Sequence, residues 1–540
     1  MFDPNPFESP KLRTIDVILE EGCGACDLEK AVAELVGAEP WDIRPVPLEP
    51  SGREFDLIPQ APVSPERAWE LTYALQKRPC VKDADPNFEA IYAEEDVALN
   101  EMTSSVPPST KMRLETPRSG EFTEDDCDWS VRFVKAQDAW DLPDSIGRQG
   151  DGIRIGHPDS GYQAHAELGP NFNPALGWDF VDNDSTTENA GGGHGLSTAS
   201  VISSPHDFAT ASTGDAPQRF VAGIAPKAEI IPLRVAKPTG FIPAPVLFNV
   251  GVDRLRDAIW FAIHRQVHVI SISLGWIPNA GLHRAIQHAV RENIIVIAAA
   301  GNYTGPIVVW PAAYDEVVAM AACNARATPW TYSARGSAVD ATGPGENVWT
   351  AQPENKVAKS SGTSHATATV AGIAALWLAH HGRDNLLARY QGGPPLAQVF
   401  RHVLRATCDS WPASKESWGA GLVNAKACLQ HRLPAVSELA PLGTKDSGKK
   451  AADALTDTFS DLPKPVVQNR LAMTLGVDEQ KAARIDAEYG RELRFWALTQ
   501  PAFRHALQDE APPTLRLNAS RSMEEAALPP FSPSLKAVLR

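Results

Sequence analysis

The chain has 540 residues, which is too long for one ordinary domain and predicts two or three domains. Its 50 Lys and Arg residues are outnumbered by 66 Asp and Glu residues, and the formal net charge of −16 argues against nucleic acid or an anionic membrane as the main partner. The sequence contains no run of about 18 apolar residues, so we expect no membrane-spanning helix.

The cysteines and the first residues of the sequence indicate in which cellular compartment the protein is expected. Residues 1–10 are rich in proline and acidic side chains and do not show the basic and apolar regions of a signal peptide. The seven cysteines are an odd number and sparsely spread, which does not suggest a disulfide framework. Cys23 and Cys26 form a Cys-x-x-Cys pair, for which a redox or zinc role is an alternative to a structural one. We therefore expect a cytoplasmic protein, with a separate export route left open.

Residues 1–92 have the pattern of a small α+β domain. The patterns predict strands over 13–20 and 80–87 and helices over 27–36 and 64–76. Residues 93–127 follow as an acidic stretch rich in Ser, Pro and Thr, which is typical of an exposed, cleavable linker.

A first candidate functional residue is Asp159. Residues 153–156 predict a short apolar strand. Pro158 and Gly161 are expected to end that strand and leave Asp159 at its carboxyl edge, where open α/β sheets bind their ligands. The alternative is an ordinary turn or capping aspartate.

His194 is the second candidate. It follows three glycines and begins a helix of small residues predicted over 196–202. For a lone histidine in such a place, a structural role is the alternative.

Residues 293–302 contain a continuous apolar run, as in a strand buried on both faces, that stops at Gly301 and Asn302. The amide of Asn302 at that edge is suited to donate a hydrogen bond to an oxyanion. A plain Gly-Asn turn that ends the strand is the alternative.

Ser364 lies between a tight Gly362-Thr363 turn and a helix predicted over 366–379, which has no charge on any face. A serine at the start of such a helix faces the positive end of its dipole, where negative charge that develops in acyl transfer is stabilised. The alternative is a helix N-cap, a role that serine fills routinely.

Asp159, His194 and Ser364 follow one another in the order aspartate, histidine, serine, which is the order known from subtilisin. Over roughly residues 128–430 the chain resembles the subtilisin-like serine peptidases, or subtilases. A weaker landmark of the family matches residues 332–336, Tyr-Ser-Ala-Arg-Gly. The motifs that carry the resemblance are Asp159-Ser160-Gly161, His194-Gly195, Ser273-Leu274-Gly275, Ala300-Gly301-Asn302 and Gly362-Thr363-Ser364.

This resemblance implies an α/β fold, a mostly parallel sheet with helices on both faces. It implies endopeptide hydrolysis, with Ser364 as nucleophile, His194 as general base and then acid, and Asp159 as the residue that orients the imidazole. Asn302 and the backbone amide of Ser364 would stabilise the oxyanion. The residues implied to bind the peptide substrate are Ser273, Leu274, Gly275, Trp276, Ala300 and Gly301.

Four positions depart from the family pattern, at Leu196, Trp276, His365 and Ala368. Leu196 replaces the usual Thr, His365 the usual Met, and Ala368 the usual Pro. Trp276 stands where a second Gly is usual, and its ring predicts narrow cleavage specificity, with packing on a neighbouring loop as the alternative. None of these changes removes a catalytic atom.

By its position and its 81–87 segment, the N-terminal domain resembles a subtilase inhibitory prosegment, whose tail would lie along the substrate groove until cleaved. A domain without inhibitory function is the alternative. The resemblance also points to a weak calcium candidate at Asp182, Asn183 and Asp184, with a solvated acidic loop as its alternative. No cofactor is expected to be required.

Residues 431–465 have linker composition, and residues 466–540 form an extension with helical periodicity over 466–508, to which the sequence assigns no role. The leading functional hypothesis is a serine endopeptidase that acts on polypeptides and is held latent by its own N-terminal domain. A catalytically silent peptide-binding pseudo-peptidase and a serine hydrolase of non-peptide esters are the alternatives.

Overall fold

The computed structural model describes residues 10–93, 122–191, 193–205, 220–239, 247–275, 277–302, 305, 307–411, 413, 415–439, 455, 458–459, 462–508 and 528–540. The strands are β1 Leu12–Leu19, β2 Trp41–Pro45, β3 Glu54–Pro59, β4 Val81–Phe88, β5 Ala90–Ala93, β6 Arg154–Asp159, β7 Trp178–Asp179, β8 Glu229–Arg234, β9 Ala236–Thr239, β10 Leu247–Val250, β11 Val269–Ile272, β12 Ile295–Ala299, β13 Val318–Cys323, β14 Ala341–Pro344, β15 Val348–Gln352 and β16 Lys356–Ser360. The α-helices are α1 Ala25–Val36, α2 Pro65–Gln76, α3 Trp129–Phe133, α4 Ala136–Trp140, α5 Gly193–Ser203, α6 Val252–His264, α7 Ala280–Arg291, α8 Thr363–His381, α9 Arg383–Arg389, α10 Leu396–Ala406, α11 Lys415–Trp418, α12 Ala425–Gln430, α13 Lys464–Leu475, α14 Glu479–Thr499, α15 Pro501–Gln508 and α16 Pro533–Leu539.

The chain divides into two compact units. The first, which we call the terminal unit, combines Met1–Glu89, Ile277–Gly281 and Gly448–Arg540. The second, which we call the catalytic unit, comprises Ala90–Trp276 and Leu282–Ser447. The sequence predicted separate domains at the two ends of the chain, and the structure places both ends in one unit.

The catalytic unit is built on a seven-stranded parallel sheet in the order β14-β13-β12-β11-β6-β8-β7. Its central strands β11, β12 and β13 are buried at every residue, as expected for parallel strands covered by helices on their faces. Because the strands are parallel, the residues that follow β6, β11 and β12 meet at one carboxyl edge. The predicted α/β fold is confirmed.

One expectation about β6 is wrong, because Pro158 does not end the strand, which continues to Asp159. The register of β6 with β11 stops at Gly156, whereas its pairing with β8 continues to Asp159 and Arg234. Pro158 therefore lies where the strand has one neighbour, an edge-like position that tolerates the missing backbone N–H.

A small antiparallel sheet in the order β5-β10-β9 also belongs to the catalytic unit. Ala90 pairs with Val250, which pairs with Ala236 on the other side. The residue before Ala236, Val235, donates its amide hydrogen to the carbonyl of Asp159 at 2.8 Å. The segment directly after the N-terminal domain is thus a strand of a sheet that starts beside Asp159.

The N-terminal part of the terminal unit is a four-stranded antiparallel sheet, β2-β3-β1-β4, with helices α1 and α2. Ser64 caps α2 by accepting a hydrogen bond from the Arg67 amide, and Pro65 occupies the first turn, as the sequence predicted. Strand β4 lies at the edge of the sheet. The C-terminal part contributes helices α13 to α16.

All seven cysteines lie in the described residues and are free thiols. Within the described part of the chain, no helix is both long and apolar enough to cross a membrane.

Candidate active site

The structure brings Asp159, His194 and Ser364 into one hydrogen-bonded line. His194 Nδ1 lies 2.7 Å from Asp159 Oδ1, and His194 Nε2 lies 3.1 Å from Ser364 Oγ. An ionised carboxylate can only accept hydrogen bonds, so Nδ1 carries the imidazole hydrogen and Nε2 is left as the acceptor for the serine hydroxyl. This is the protonation pattern that a general base next to a nucleophile requires.

Strand β6, which carries Asp159, is held against helix α5, which carries His194, by contacts between the Asp-Ser-Gly and His-Gly motifs. Ser160 donates its amide hydrogen to Asp159 Oδ1 at 2.7 Å, and its hydroxyl oxygen accepts the Gly195 amide at 3.0 Å. A side chain at position 195 would place a Cβ only 2.0 Å from the Gly161 carbonyl oxygen. Glycine is therefore required there by the close approach of β6 and α5.

The second oxygen of Asp159 has partners of its own. Thr198 Oγ1, one turn along α5 from His194, lies 3.2 Å from Asp159 Oδ2. His157 Nε2 lies 2.9 Å from the same hydroxyl oxygen and 3.7 Å from Asp159 Oδ2. All three side chains are buried, with exposed fractions of 2% or less, so the carboxylate is held at both oxygens away from water.

The electrostatics of the site keep Asp159 ionised. Burial by itself would raise the pKa of Asp159, but His194 beside it, together with His157 and the Ser160 amide, holds that pKa below its ordinary value. Burial lowers the pKa of His157, which outweighs the opposing effect of Asp159, so His157 is neutral.

Ser364 lies in the first turn of α8, which is buried at every residue from Thr363 to Ala379. The first turn of a helix has backbone N–H groups without a partner in the helix, and these groups form the positive end of its dipole beside the serine. Ser273 contacts Ser364 in both directions: its Oγ donates to the Ser364 carbonyl at 3.2 Å, and its carbonyl lies 3.4 Å from Ser364 Oγ. The sequence motif at the end of β11 is thus in contact with the predicted nucleophile.

Asn302 is fixed by the residue that precedes Ser364. Asn302 Oδ1 accepts hydrogen bonds from the Thr363 amide at 3.0 Å and the Thr363 hydroxyl at 2.8 Å. Because the side-chain amide is planar, its NH2 group is directed away from Thr363. The family landmark at 332–336 supports this loop, since Ser333 forms a β-bridge with Asn302 and the Ala334 amide donates to the Gly301 carbonyl at 2.8 Å.

The predicted substrate-binding residues Ser273, Leu274 and Gly275 follow β11 directly but belong to no strand. At Gly275 a Cβ would lie 2.5 Å from Val309 Cγ2, so this position accommodates no larger residue without a shift of its neighbours. Ala300 and Gly301 follow β12, and Ala300 accepts the Val309 amide at 2.9 Å. Trp276 lies outside the described residues.

His365 is the departure with the clearest physical consequence. Its ring is buried, and neither ring nitrogen has a hydrogen-bond partner in the part of the chain that the structure describes. Burial, with the neighbouring His194, lowers the pKa of His365 to about 3. His365 is therefore neutral and its polarity is uncompensated. Leu196 and Ala368, at two of the other positions that depart from the family pattern, are both fully buried, and neither side chain carries a polar group.

The calcium candidate does not fit a cation site. Arg234 Nη1 donates to both Asp179 and Asp182, so a guanidinium already supplies the positive charge at this loop. Asp184 Oδ1 accepts the Thr186 amide at 2.7 Å. Asn183 has a positive φ of 59°, as in a turn. Among the described residues, no group of three or more His, Cys, Asp or Glu is placed to hold a metal ion.

Comparisons with known proteins agree with this site. The sequence pattern of the subtilase family matches residues 150–421. Thermitase of Thermoactinomyces vulgaris is 33% identical over 300 residues, which cover 55% of this chain and 94% of that protein. Subtilisin Savinase of Lederbergia lenta is 30% identical over 304 residues, covering 56% and 98%, and an alkaline protease of Alkalihalobacillus alcalophilus is 28% identical over 379 residues, covering 70% and 81%. The chain belongs to the subtilase family, peptidase S8. It is a subtilisin-like serine endopeptidase.

Sequence reasoning missed three residues around Asp159, namely His157, Ser160 as a link to Gly195, and Thr198. His157 stands next to Pro158 in a motif that was interpreted only as a strand end. Thr198 is one of several small polar residues in α5, and nothing in the local pattern distinguishes it from the others. Its only sequence signal is the spacing of four residues from His194, which places both on one face of a helix.

Proposed function

We propose that this endopeptidase cleaves its substrate with Ser364 as nucleophile, His194 as proton carrier and Asp159 as the orienting carboxylate. The observation that carries the proposal is the continuous line of hydrogen bonds through these three side chains, at 2.7 and 3.1 Å. No metal or cofactor takes part in the proposed steps.

Ser364 Oγ attacks the scissile carbonyl carbon while its proton passes to His194 Nε2. The carbonyl π-electrons move to oxygen, and the imidazolium is stabilised by the ionised Asp159. His194 then gives the proton to the leaving amine nitrogen as the C–N bond breaks, which leaves an acyl-enzyme. A water molecule then attacks the acyl carbon while His194 Nε2 takes its proton. His194 returns that proton to Ser364 Oγ as the ester bond breaks, which releases the acid product and restores Ser364.

The oxyanion of each tetrahedral intermediate is proposed to bind the side-chain amide of Asn302 and the backbone amide of Ser364. Thr363 supports this role because it fixes the acceptor end of the Asn302 amide through two hydrogen bonds. A donor that is already oriented does not reorganise when charge develops, which is the physical basis of transition-state stabilisation.

Residues 273–275 and 300–301 are proposed to pair with the backbone of an extended peptide at the carboxyl edge of the sheet. They follow the adjacent strands β11 and β12, which are in register at Ile272 and Ala298. Backbone pairing of this kind gives affinity, and the pockets for alternate side chains give specificity.

The N-terminal domain is proposed to hold the enzyme latent. Two observations support this proposal. Residues 90–93, which follow that domain directly, form a strand with 247–250 in the sheet that starts beside Asp159. Within the terminal unit, Asp85 Oδ2 accepts the amide of Ala280 at 2.7 Å, and a carboxylate at the first residue of a helix is favoured by the helix dipole.

A fluorophosphonate probe and intact mass measurement test this function. The wild-type protein is expected to lose an N-terminal piece and to carry one adduct, whereas Ser364→Ala is expected to stay full length and unlabelled. Repeating the labelling on protein that lacks residues 1–127 separates a latent enzyme, which becomes labelled, from a pseudo-peptidase, which does not. Absence of labelling in both forms would overturn the proposed catalytic role of Ser364.

A further inference from the structure

The helices at the C-terminal end of the chain are built around the N-terminal domain. We propose that this C-terminal extension, residues 466–540, is the partner surface that retains the N-terminal domain, so that a cut in the 93–127 linker does not by itself release the domain. Retention follows from contacts within the terminal unit, and its consequence for activity rests on the latency proposed above.

The first contact is ionic and joins α14 to the edge strand β4. Arg491, in α14, places Nη1 at 3.0 Å from Asp83 Oδ1 and 2.7 Å from Asp85 Oδ1. The side chain of Asp85 is only 4% exposed, whereas that of Arg491 is 20% exposed. Without Arg491, the Asp85 carboxylate would remain buried beside Asp83 and would lose this cationic partner.

The second contact is aromatic. Phe495, one turn after Arg491 in α14, places its ring centroid 4.4 Å from that of Phe88 and 6.1 Å from that of Trp69. Trp69, Phe88 and Phe495 are each 2% exposed or less. Trp69 and Phe88 belong to the N-terminal domain, so two of its largest apolar side chains complete their burial against the C-terminal extension.

The third contact is a buried polar network. Glu492 accepts the Tyr73 hydroxyl at 3.2 Å, and it also accepts the amide of Ser532 at 2.6 Å and its hydroxyl at 2.8 Å. Nearby, Glu70 accepts the amide of Ser534 at 2.9 Å. Helix α2 of the N-terminal domain is thereby connected to both α14 and the last helix, α16, by buried hydrogen bonds, which are costly to break because their groups are shielded from water.

These contacts change what a linker cut can do. The C-terminal extension is covalently joined to the catalytic unit through the chain that follows Ser447, whereas the N-terminal domain is joined through the 93–127 linker. After a cut in that linker, the N-terminal piece still has to leave an ionic, an aromatic and a polar contact surface, and its strand β5 also has to separate from β10. Simultaneous contacts on a tethered partner slow release far more than any one of them.

The test uses the full-length chain with Ser364→Ala, so that it does not depend on catalysis. A recognition sequence for a site-specific protease is inserted between Arg118 and Ser119, the protein is cut, and loss of the N-terminal piece after dilution is followed by gel filtration. The piece is expected to co-elute with the remainder. Arg491→Ala is expected to speed its loss about 10-fold or more, since hydrogen bonds to charged groups are the stronger kind. Arg484→Ala, at an exposed position of the same helix, is the matched control and is expected to have no effect.

Phe495→Leu serves as a second variant, because it keeps an apolar side chain in the core while it removes both ring contacts. It too is expected to speed release. If the N-terminal piece leaves the unsubstituted C-terminal extension as fast as it leaves Arg491→Ala and Phe495→Leu, the proposal is overturned.

The same insertion in the active chain separates this inference from the proposed latency. With retention and latency both correct, the cut enzyme stays weakly active on a peptide substrate, and Arg491→Ala activates it faster after the cut. Retention in the Ser364→Ala protein together with full activity of the cut active enzyme would support retention and overturn latency.

Discussion

Thr198 Oγ1 lies 3.2 Å from Asp159 Oδ2 and 3.1 Å from the carbonyl oxygen of His194, while His194 engages the other oxygen of the same carboxylate at 2.7 Å. The two contacts hold the plane of the carboxylate in place. His157 Nε2 lies 2.9 Å from the same threonine oxygen, and the tautomer of His157 decides whether this ring nitrogen donates to the hydroxyl or accepts from it.

Thr198→Val is therefore expected to lower kcat about 10-fold with little change in KM, because a hydrogen bond to a charged group is lost and the imidazole is less well oriented. Steady-state kinetics on a peptide substrate measure this effect. Thr198→Ser keeps the hydroxyl and is expected to retain most of the activity. Equal kcat values for the Val and Ser variants would show that the hydroxyl does not position Asp159.

Asn302→Ala is expected to reduce kcat by about 10²–10³-fold, the range known for loss of one oxyanion donor, which was established on an enzyme of this same family. KM is expected to change little, because the contact forms only with the tetrahedral intermediate. Asn385→Ala, at an exposed position in α9, is the control. A rise in KM at constant kcat would instead place Asn302 in ground-state binding.

His365→Met is expected to stabilise the protein by about 1–3 kcal/mol, because it removes two buried ring nitrogens that have no partner among the described residues. The pKa of His365 is lowered to about 3, below its value in an unfolded chain. In the unfolded state the His365 imidazole therefore binds a proton at a pH at which the folded state keeps it neutral. The free energy of unfolding decreases as the pH falls below about 6.5.

Unfolding curves in the Ser364→Ala background from pH 8 to pH 4 measure both effects. The His365→Met variant is expected to lose less stability than the parent over the acid part of that range. Parallel pH profiles for the two proteins would mean that His365 finds a partner in solution.

Calcium is expected to leave the unfolding temperature unchanged, because Arg234 already forms ion pairs with the Asp179 and Asp182 carboxylates. Unfolding in calcium and in chelator provides the comparison. A calcium-dependent increase in the unfolding temperature that disappears in Asp184→Asn would contradict this prediction and place a cation at this loop.

The core of the site could be predicted from sequence because each of its residues is marked by its immediate neighbours. Ser364 is preceded by Gly-Thr and followed by a helix without charges, and His194 is followed by Gly195, which the close packing against Gly161 requires. Short-range constraints of this kind leave a pattern in the chain. The buried helix α8 and the apolar strand β12 were predictable for the same reason.

Long-range partners leave no such pattern. Nothing near Asp85 indicates that its cation is Arg491, more than four hundred positions later, and the periodicity of α14 is that of any amphipathic helix. The continuation of β6 through Pro158 was missed because it depends on where a neighbouring strand stops, which the local sequence does not contain.

The joint burial of Phe88 and Phe495 also has a consequence for the synthesis of the chain. A ribosome makes the N-terminal domain first, then the whole catalytic unit, and only afterwards the helix that covers Trp69 and Phe88. During translation the young chain therefore carries an apolar surface on its first domain that stays unmatched until the last hundred residues emerge. A chain truncated before Phe495 would leave Trp69 and Phe88 without the aromatic ring against which they are buried.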